Sequence, residues 1–590
     1  MRWLVSVVLL VAATRSASAD ATAPSTQLHC NAGVPSQACT QVPPARTCKA
    51  GDAERIGEWR YAVIAPLYSA TEDVTLGELQ AMWQGQSKAK IQLAATAETQ
   101  AAVSTLLGAG KPTTLAPDAR PTIDDTHWAI VPAHELIPAW TVVSVDGKHP
   151  LDPAPNALAV PLCAPKKQGI ARNIDPGKLT ILAMTGTTAI TRGMAKLINE
   201  KGVLYPLSSK PSIEPWFATA DLVHISNEVS FVPNCNAGEE ARTMDFCSKE
   251  SYMELLEKSH TKIIEMTGSH LDDYGFKWIP YTLDMYAKRG WIWFGGGRDQ
   301  HDAVTPKILE HHGNKLAFVG CNSVWTSERY VKKGPGPAIC DWDRIRWQLG
   351  DLRRRGYVPI ASIQHEEVYH YDPPAQLVYD LRKLAEAGAV FVLGSQAHSP
   401  HPWEMHYGAF LHYGPGNLYF DLGSEKVRDA AQDKLYIHAG KLLAVNRLYI
   451  RNEERGRPRI LTDKERAWFL KNQLAAKKGL PGGADPFASP KPLPESRERP
   501  DSIVLGGVVQ PIAITVPAKY VEGDSKKYAA VVYLAGEPAP RDDAFVVKLM
   551  PRKGKKPPHT SKKPVDLGAE ISELLVARYP VDAAQIAIKK

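Results

Sequence analysis

Between residues 176 and 450, apolar runs of strand length recur, and each ends in a loop carrying polar or glycine residues. The run at 179–184 is followed by Gly186, Thr187 and Thr188, the run at 222–225 by Asn227 and Glu228, and the run at 263–266 by Gly268, Ser269 and His270. Later runs at 316–319, 358–363 and 389–393 lead into Gly320-Cys321-Asn322, Gln364-His365-Glu366-Glu367 and Gly394-Ser395-Gln396-Ala397-His398. Unbroken apolar runs bounded by turn signals predict strands buried on both faces. Between the last two the period changes: Leu377, Leu381, Leu384 and Ala385 form a helical stripe that Gly388 closes. Strands alternating with helices predict an α/β domain over 176–470. Ligands of open α/β sheets bind at the carboxyl ends of the strands, so the polar strand exits are expected on one edge.

The flanks read differently. A strand at 61–65, a capping box at Thr75 and Glu78 and a strand at 128–131 that ends at Pro132 predict a small α/β domain over 58–175. Its stretch YAVIAPLYSATEDVTLGELQAMWQG resembles the start of periplasmic phosphate-binding-type proteins. With the length of one lobe only, it reads as a structural or docking domain. Proline, glycine and charge crowd residues 480–500, so 471–504 is a linker. In 505–590, strands are expected at 512–516 and 529–534, followed by a basic loop with Arg552, Lys553, Lys555, Lys556, Lys562 and Lys563, a solvated face or a polyanion contact. This segment resembles a truncated α/β-hydrolase start, but it has no G-x-S-x-G elbow, so it is a remnant or accessory piece.

Residues 1–19 have the form of a cleavable signal peptide: Arg2, an apolar run at 3–13, and Ala17-Ser18-Ala19. A leader with cysteine and proline follows at 20–57, and the expected address is the periplasm or the medium. At 590 residues, 44% hydrophobic and 23% charged, the chain is of globular composition and long enough for two to four domains. A formal charge of +7 gives no argument for nucleic acid and leaves an anionic polymer open. Eight cysteines without a C-x-x-C pair predict disulfides in an exported chain, with the neighbours Cys235 and Cys247, and Cys321 and Cys340, as first choices.

Four stretches concentrate the chemistry: TGSHLDDYG at 267–275, Trp293-Phe294-Gly295-Gly296-Gly297, SIQHEEVYHYDP at 362–373 and GSQAHSPHPWEMHYGAFLHYGPGNLYFD at 394–421. With RPRILTDKERAWFL at 457–470, their order and spacing resemble the CapA family, poly-γ-glutamate capsule proteins of metallophosphatase-like (calcineurin-like phosphoesterase) fold. The resemblance implies a four-layer α/β sandwich whose strand-end loops hold a divalent metal ion, Mn, Fe or Zn, and a ligand bearing phosphate or carboxylate. The family's N-x-E element falls near Asn227-Glu228, its G-N-H on Gly268-Ser269-His270, its D-x-G on Asp273-Tyr274-Gly275, its H-W-G on Gln364-His365-Glu366, and its H-x-H on Gln396-Ala397-His398. Metal positions carried over are Asn227, Glu228, His270, Gln364 and His398; catalytic positions are His270, Asp273, His365 and Glu366. Implied partners are poly-γ-glutamate or a capsular polysaccharide, with membrane capsule-synthesis proteins beside them, and no nucleic acid.

Three positions depart from that pattern, with Thr187, Gln364 and Gln396 where a metallophosphatase has Asp or His. This favours one metal over a two-metal clamp. Structural roles compete as well: Asp273 as a helix cap, Glu228 as an ion-pair partner, His365, His370, His401 and His412 as surface or packing residues, and Gly295 to Gly297 as a tight turn. Two functions stay open: a metal-dependent hydrolase of capsular polymer, and a non-catalytic factor that grips or anchors an anionic polymer in a degenerate cleft.

Overall fold

The computed structural model describes residues 34–41, 46–49, 55–153, 156–164, 170–236, 245–324, 334–421, 427–482, 487–489, 498–505, 508–518, 527–534, 541–549, 572, 575–576 and 581–589. The signal segment 1–19 and the basic run 552–563 lie outside them.

Strands with no polar face need cover on both sides. Leu179–Met184 and Leu222–Asn227 are buried at every position. They run parallel to Thr261–Glu265 and Ile292–Phe294, and the antiparallel strands Asp429–His438, Lys441–Glu453 and Arg457–Ile460 extend the same sheet. A second, six-stranded sheet runs in the order Lys307–His311, Asn314–Asn322, Val358–Gln364, Phe391–Ser395, Ala409–Pro415, Pro400–His406, with its central four strands parallel.

The two sheets face each other. Leu182, Met184, Leu222 and Ile263 of the first meet Phe318, Ile360, Phe391 and Phe410 of the second in one apolar layer. On the outer face of the first sheet pack Met194, Leu255, Ile279 and Leu283 from its helices. On the outer face of the second pack Ile345 and Leu349 from the helix Trp342–Arg354, and Leu377, Leu381 and Leu384 from Ala375–Ala387. The order helix, sheet, sheet, helix is the expected four-layer α/β sandwich. Gly388 ends the second helix at φ 122°, a conformation that favours glycine.

The boundary read at 470 falls inside a helix, Asp463–Lys478, opened by a capping box between Thr462 and Glu465. Its Phe469 and Leu470 enter the layer between the sheets, which is why the element continues into the segment read as linker.

Ahead of the sandwich, Arg55–Ala65 is the centre of a mixed sheet covered on one face by Leu76–Trp83 and Ala97–Leu107. The capping box of Thr75 and Glu78 is present. The other face is not solvated: Ala62, Ile64, Trp140 and Val142 pack against Leu179, Ile181, Tyr436 and Leu443 of the sandwich. Tyr68 fixes this dock by stacking on Trp403, 4.6 Å between centroids, and accepting from its backbone N–H.

A separate five-stranded sheet closes the chain. The strands Val508–Thr515 and Tyr528–Tyr533, neighbours in sequence, are not paired; Ala544–Leu549 lies between them. Disulfides join Cys48 to Cys163, Cys235 to Cys247 and Cys321 to Cys340, the last two being the pairs expected from proximity. Among the described residues no helix is long and apolar enough to cross a membrane.

Candidate metal centre

Parallel strands deliver their following loops to one edge of the sandwich, and glycines let those loops touch. A Cβ on Gly268 would stand 2.6 Å from the Glu228 Cα, so the loop after Thr261–Glu265 lies directly on the loop after Leu222–Asn227. A Cβ on Gly186 would stand 1.9 Å from the Gly416 carbonyl oxygen, which sets the first strand exit against the segment before Asn417.

Glu228, Glu367 and His398 meet in this crowded corner. One ligand atom from each lies within 4.8 Å of the others. Glu228 is 1% exposed, and neither carboxylate oxygen has a hydrogen-bond partner among the described residues. Burial pushes its carboxyl above the ordinary range. Burial opposes the ionised form of Glu367 also, but the His398 ring beside it, at 3.6 Å, outweighs that and holds Glu367 low.

His398 is oriented from behind. Its Nδ1 donates to Asn417 Oδ1 at 2.8 Å, and Asn417 is held in that sense because its own Nδ2 donates to the Val427 carbonyl. With Nδ1 so engaged, Nε2 is the nitrogen on the Glu367 side, holding a proton towards that carboxylate or, once it is lost, offering its lone pair to a metal ion. The ring lies stacked on Phe420, 4.8 Å between centroids. Against its burial, the carboxylates of Glu367 and Glu228 raise its proton affinity.

His270 borders the same carboxylates. Its Nδ1 is 2.7 Å from Asp273 Oδ2, an oxygen that also accepts from the Phe246 N–H, so Asp273 positions His270 and caps no helix. Burial lowers and Asp273 with Glu228 raises the His270 affinity for a proton, with a net rise. Phe246 lies 4.3 Å from the His270 ring, and the Arg192 guanidinium sits over both Phe246 and Phe420, at 4.7 and 4.9 Å. One cation thus clamps the two rings that carry the two histidines.

Other positions named from sequence make contacts of their own. Asn227 donates its amide to the Val229 carbonyl and the Tyr286 hydroxyl. Gln364 accepts from Asn322 and donates to Ser269. His365 Nε2 lies 3.3 Å from Asp380, and Glu366 is exposed. Gln396 donates to Ser226 while its carbonyl oxygen, like the Thr187 hydroxyl, is buried without a partner among the described residues. Glu228, His270 and His398 are brought together, backed by Asp273, while the Asn227 and Gln364 amides and the His365 ring hold the partners just named.

Sequence reasoning passed over Glu367, Asn417 and Glu265. Glu367 is the second of two adjacent glutamates, and strand pairing alone turns it inward. Glu265 left a signal, a carboxylate between Ile264 and Met266 in an apolar run. Fully buried, it accepts from Thr267, Ser362 and Ser395 hydroxyls and lies 3.1 Å from His224 Nε2. Burial alone would raise its pKa; these donors more than offset it and hold it low. Because His224 and Glu265 belong to the first sheet and Ser362 and Ser395 to the second, the network pins the sheets together beneath the centre.

Residues 181–422 match the model of the bacterial capsule synthesis protein PGA_cap family. This part of the chain is similar to that family. The chain is 24% identical over 253 residues to the PGA biosynthesis protein CapA of Bacillus subtilis, covering 42% of this chain and 65% of that protein. It is 19% identical over 261 residues to the capsule biosynthesis protein CapA of Bacillus anthracis, covering 43% and 62%. It therefore spans a little under two thirds of the length of these curated relatives. A phosphatase of Mycoplasma pneumoniae aligns in structure with 46% of this chain and 93% of its own, at 11% identity and a TM-score of 0.29. The matched stretch ends before the antiparallel strands and the helix that complete the sandwich at 429–478, and all residues of the Glu228 cluster lie inside it.

Proposed function

We propose that this chain is an exported protein of poly-γ-glutamate or related capsular-polymer metabolism, and that its α/β sandwich is a hydrolase working with a single divalent metal ion. The observation that carries the proposal is Glu228: a buried carboxylate with both oxygens unpartnered among the described residues, facing Glu367 and His398. An uncompensated buried carboxylate is costly, and a cation is what removes the cost. Two carboxylates and an imidazole suit Mn, Fe or Zn. Such an ion supplies Lewis acidity and water acidified to a pKa of about 7. Glu228, Glu367 and His398 would hold it; Asn417 keeps His398 in the ligating tautomer; His270, backed by Asp273, holds and delivers a proton beside them. The disulfides among the described residues support the exported reading, to periplasm or medium.

The test uses the purified full chain. It is expected to contain a divalent ion that Glu228→Gln and His398→Ala lose, and to cleave poly-γ-glutamate or a model amide or phosphoester in a chelator-sensitive way. A metal-free, inert chain would leave the second reading, a polymer-gripping factor. That reading is favoured by one observation, the side chains of Thr187, Gln364 and Gln396, which offer no charged ligand for a second metal. Polymer binding by such a factor falls steeply with salt and ignores chelators.

A further inference from the structure

The pole of the sandwich opposite the Glu228 cluster carries a second group of ligating side chains. There the amino ends of the first sheet's strands meet the tip of the hairpin formed by Lys307–His311 and Asn314–Asn322. We propose that Asp221, His311 and His312 form an independent metal site, an open set of two imidazoles and one carboxylate for Zn2+ or a similar borderline cation. The proposal does not rest on the reading of the Glu228 cluster.

One ligand atom from each of the three residues lies within 4.8 Å of the other two. Successive residues of a strand point to opposite faces, so adjacent histidines do not ordinarily chelate together. Here the turn overrides that rule. His312 and Gly313 both have positive φ, 48° and 72°, the pattern of a type I′ hairpin turn, and the His311 and His312 rings come to 3.9 Å between centroids. A non-glycine residue in that conformation is uncommon, and it is here a ligating type.

Both imidazoles are set from behind. His312 Nδ1 lies 2.6 Å from the Leu179 carbonyl oxygen, an acceptor only, so Nδ1 carries the hydrogen and Nε2 the lone pair. His311 Nδ1 lies 3.0 Å from Thr180 Oγ1. That hydroxyl donates to the His311 carbonyl and accepts from Asn314 Nδ2, so a hydrogen on His311 Nδ1 completes it and again leaves Nε2 free. A partner on one ring nitrogen that fixes the other for a metal is the usual support of a histidine ligand. Asp221 is held likewise: one oxygen accepts from the Ile181 N–H at 2.7 Å, and the other has no hydrogen-bond partner among the described residues.

Asn314 secures the turn on the first sheet, donating to the Lys178 and Ile437 carbonyls and accepting from the Gly440 N–H. A cation here joins the loop before Leu222–Asn227 in one sheet to a hairpin of the other. Imidazole with a single carboxylate selects Zn2+, Ni2+ or Cu2+ over Mg2+ or Ca2+.

The test titrates Zn2+ into the metal-stripped full chain, free of any polyhistidine tag, against a chromophoric chelator. The Glu228→Gln/His398→Ala variant is expected to keep one tight equivalent and to melt higher when loaded. Adding His312→Asn, which tolerates the left-handed turn, removes that equivalent, weakening uptake more than about 100-fold, beyond the 10–100-fold typical of lost supporting partners. Asp221→Asn, which can still accept from Ile181, is expected to weaken it as well and serves if the turn variant does not fold. Zinc uptake unchanged by both substitutions, or no uptake by the Glu228→Gln/His398→Ala chain, overturns the proposal.

Discussion

Glu228 and Glu265 are both buried carboxylates, yet their surroundings drive them to opposite ionisation. Glu265 has three hydroxyls and an imidazole on its oxygens; Glu228 has none of its own. Removing Glu265 as Glu265→Ala leaves those donors stranded and is expected to cost roughly 3 kcal/mol or more in denaturant unfolding. Glu228→Gln should instead leave the metal-free protein as stable or slightly more so, while abolishing the stabilisation that added metal gives. His149 offers a pH test away from both. Buried against the Tyr436 ring at 4.3 Å, its pKa is pushed by burial from an ordinary 6.5 down to about 3. The unfolded chain takes up this proton below pH 6.5 and the folded one does not, so stability drops as pH falls from 6.5 towards 3. His149→Phe keeps the stacking and should make that acid limb shallower by up to about 1.4 kcal/mol per pH unit in melts at stepped pH. At this scale the sequence was legible where a residue type broke its context, as His270 and His398 do at strand exits. Glu367 and Asn417 were not, because which member of a polar loop turns inward depends on neighbouring strands.

Elements carried their own signals with more fidelity than their ends. The expected strand at 358–363 runs on to Gln364, and that at 389–393 is shifted to Phe391–Ser395, since ladder bonds continue until a loop must leave the sheet. The domain boundary expected at 470 divides the helix Asp463–Lys478, whose polar composition hides a face of Phe469, Leu470, Gln473 and Ala476 that is buried. Its start was marked, however, by Thr462 and Glu465. Thr462→Ala should cost about 1 kcal/mol, measurable as a lowered midpoint with unchanged m-value. The loop contact at Gly268 gives a sharper prediction: Gly268→Ala forces Glu228 to move and should lose metal affinity while the melting curve stays cooperative.

Across the whole molecule, α/β class followed from the alternation of runs and stripes, whereas the facing of two sheets did not, because buried strands read alike whether covered by helices or by another sheet. The docking of the N-terminal sheet was equally hidden. Since Tyr436, Leu443 and Ile181 are covered by Ile64 and Val142, a fragment of residues 176–482 is expected to aggregate or bind hydrophobic dye, whereas residues 20–482, which keep Cys48 for Cys163, should stay monodisperse in light scattering. Tyr68→Ala, which removes the stacking on Trp403, should loosen the same dock and appear as earlier proteolysis of the N-terminal part. The Glu265 network reaches across the molecule in another sense. Its members sit on separate strands, far apart in the chain, yet none can change alone without leaving a buried charge or a hydroxyl unanswered. Lineages descended from one ancestor are therefore expected to keep His224, Glu265, Thr267, Ser362 and Ser395 as a set, or to exchange them together for apolar residues, with mixed combinations rare.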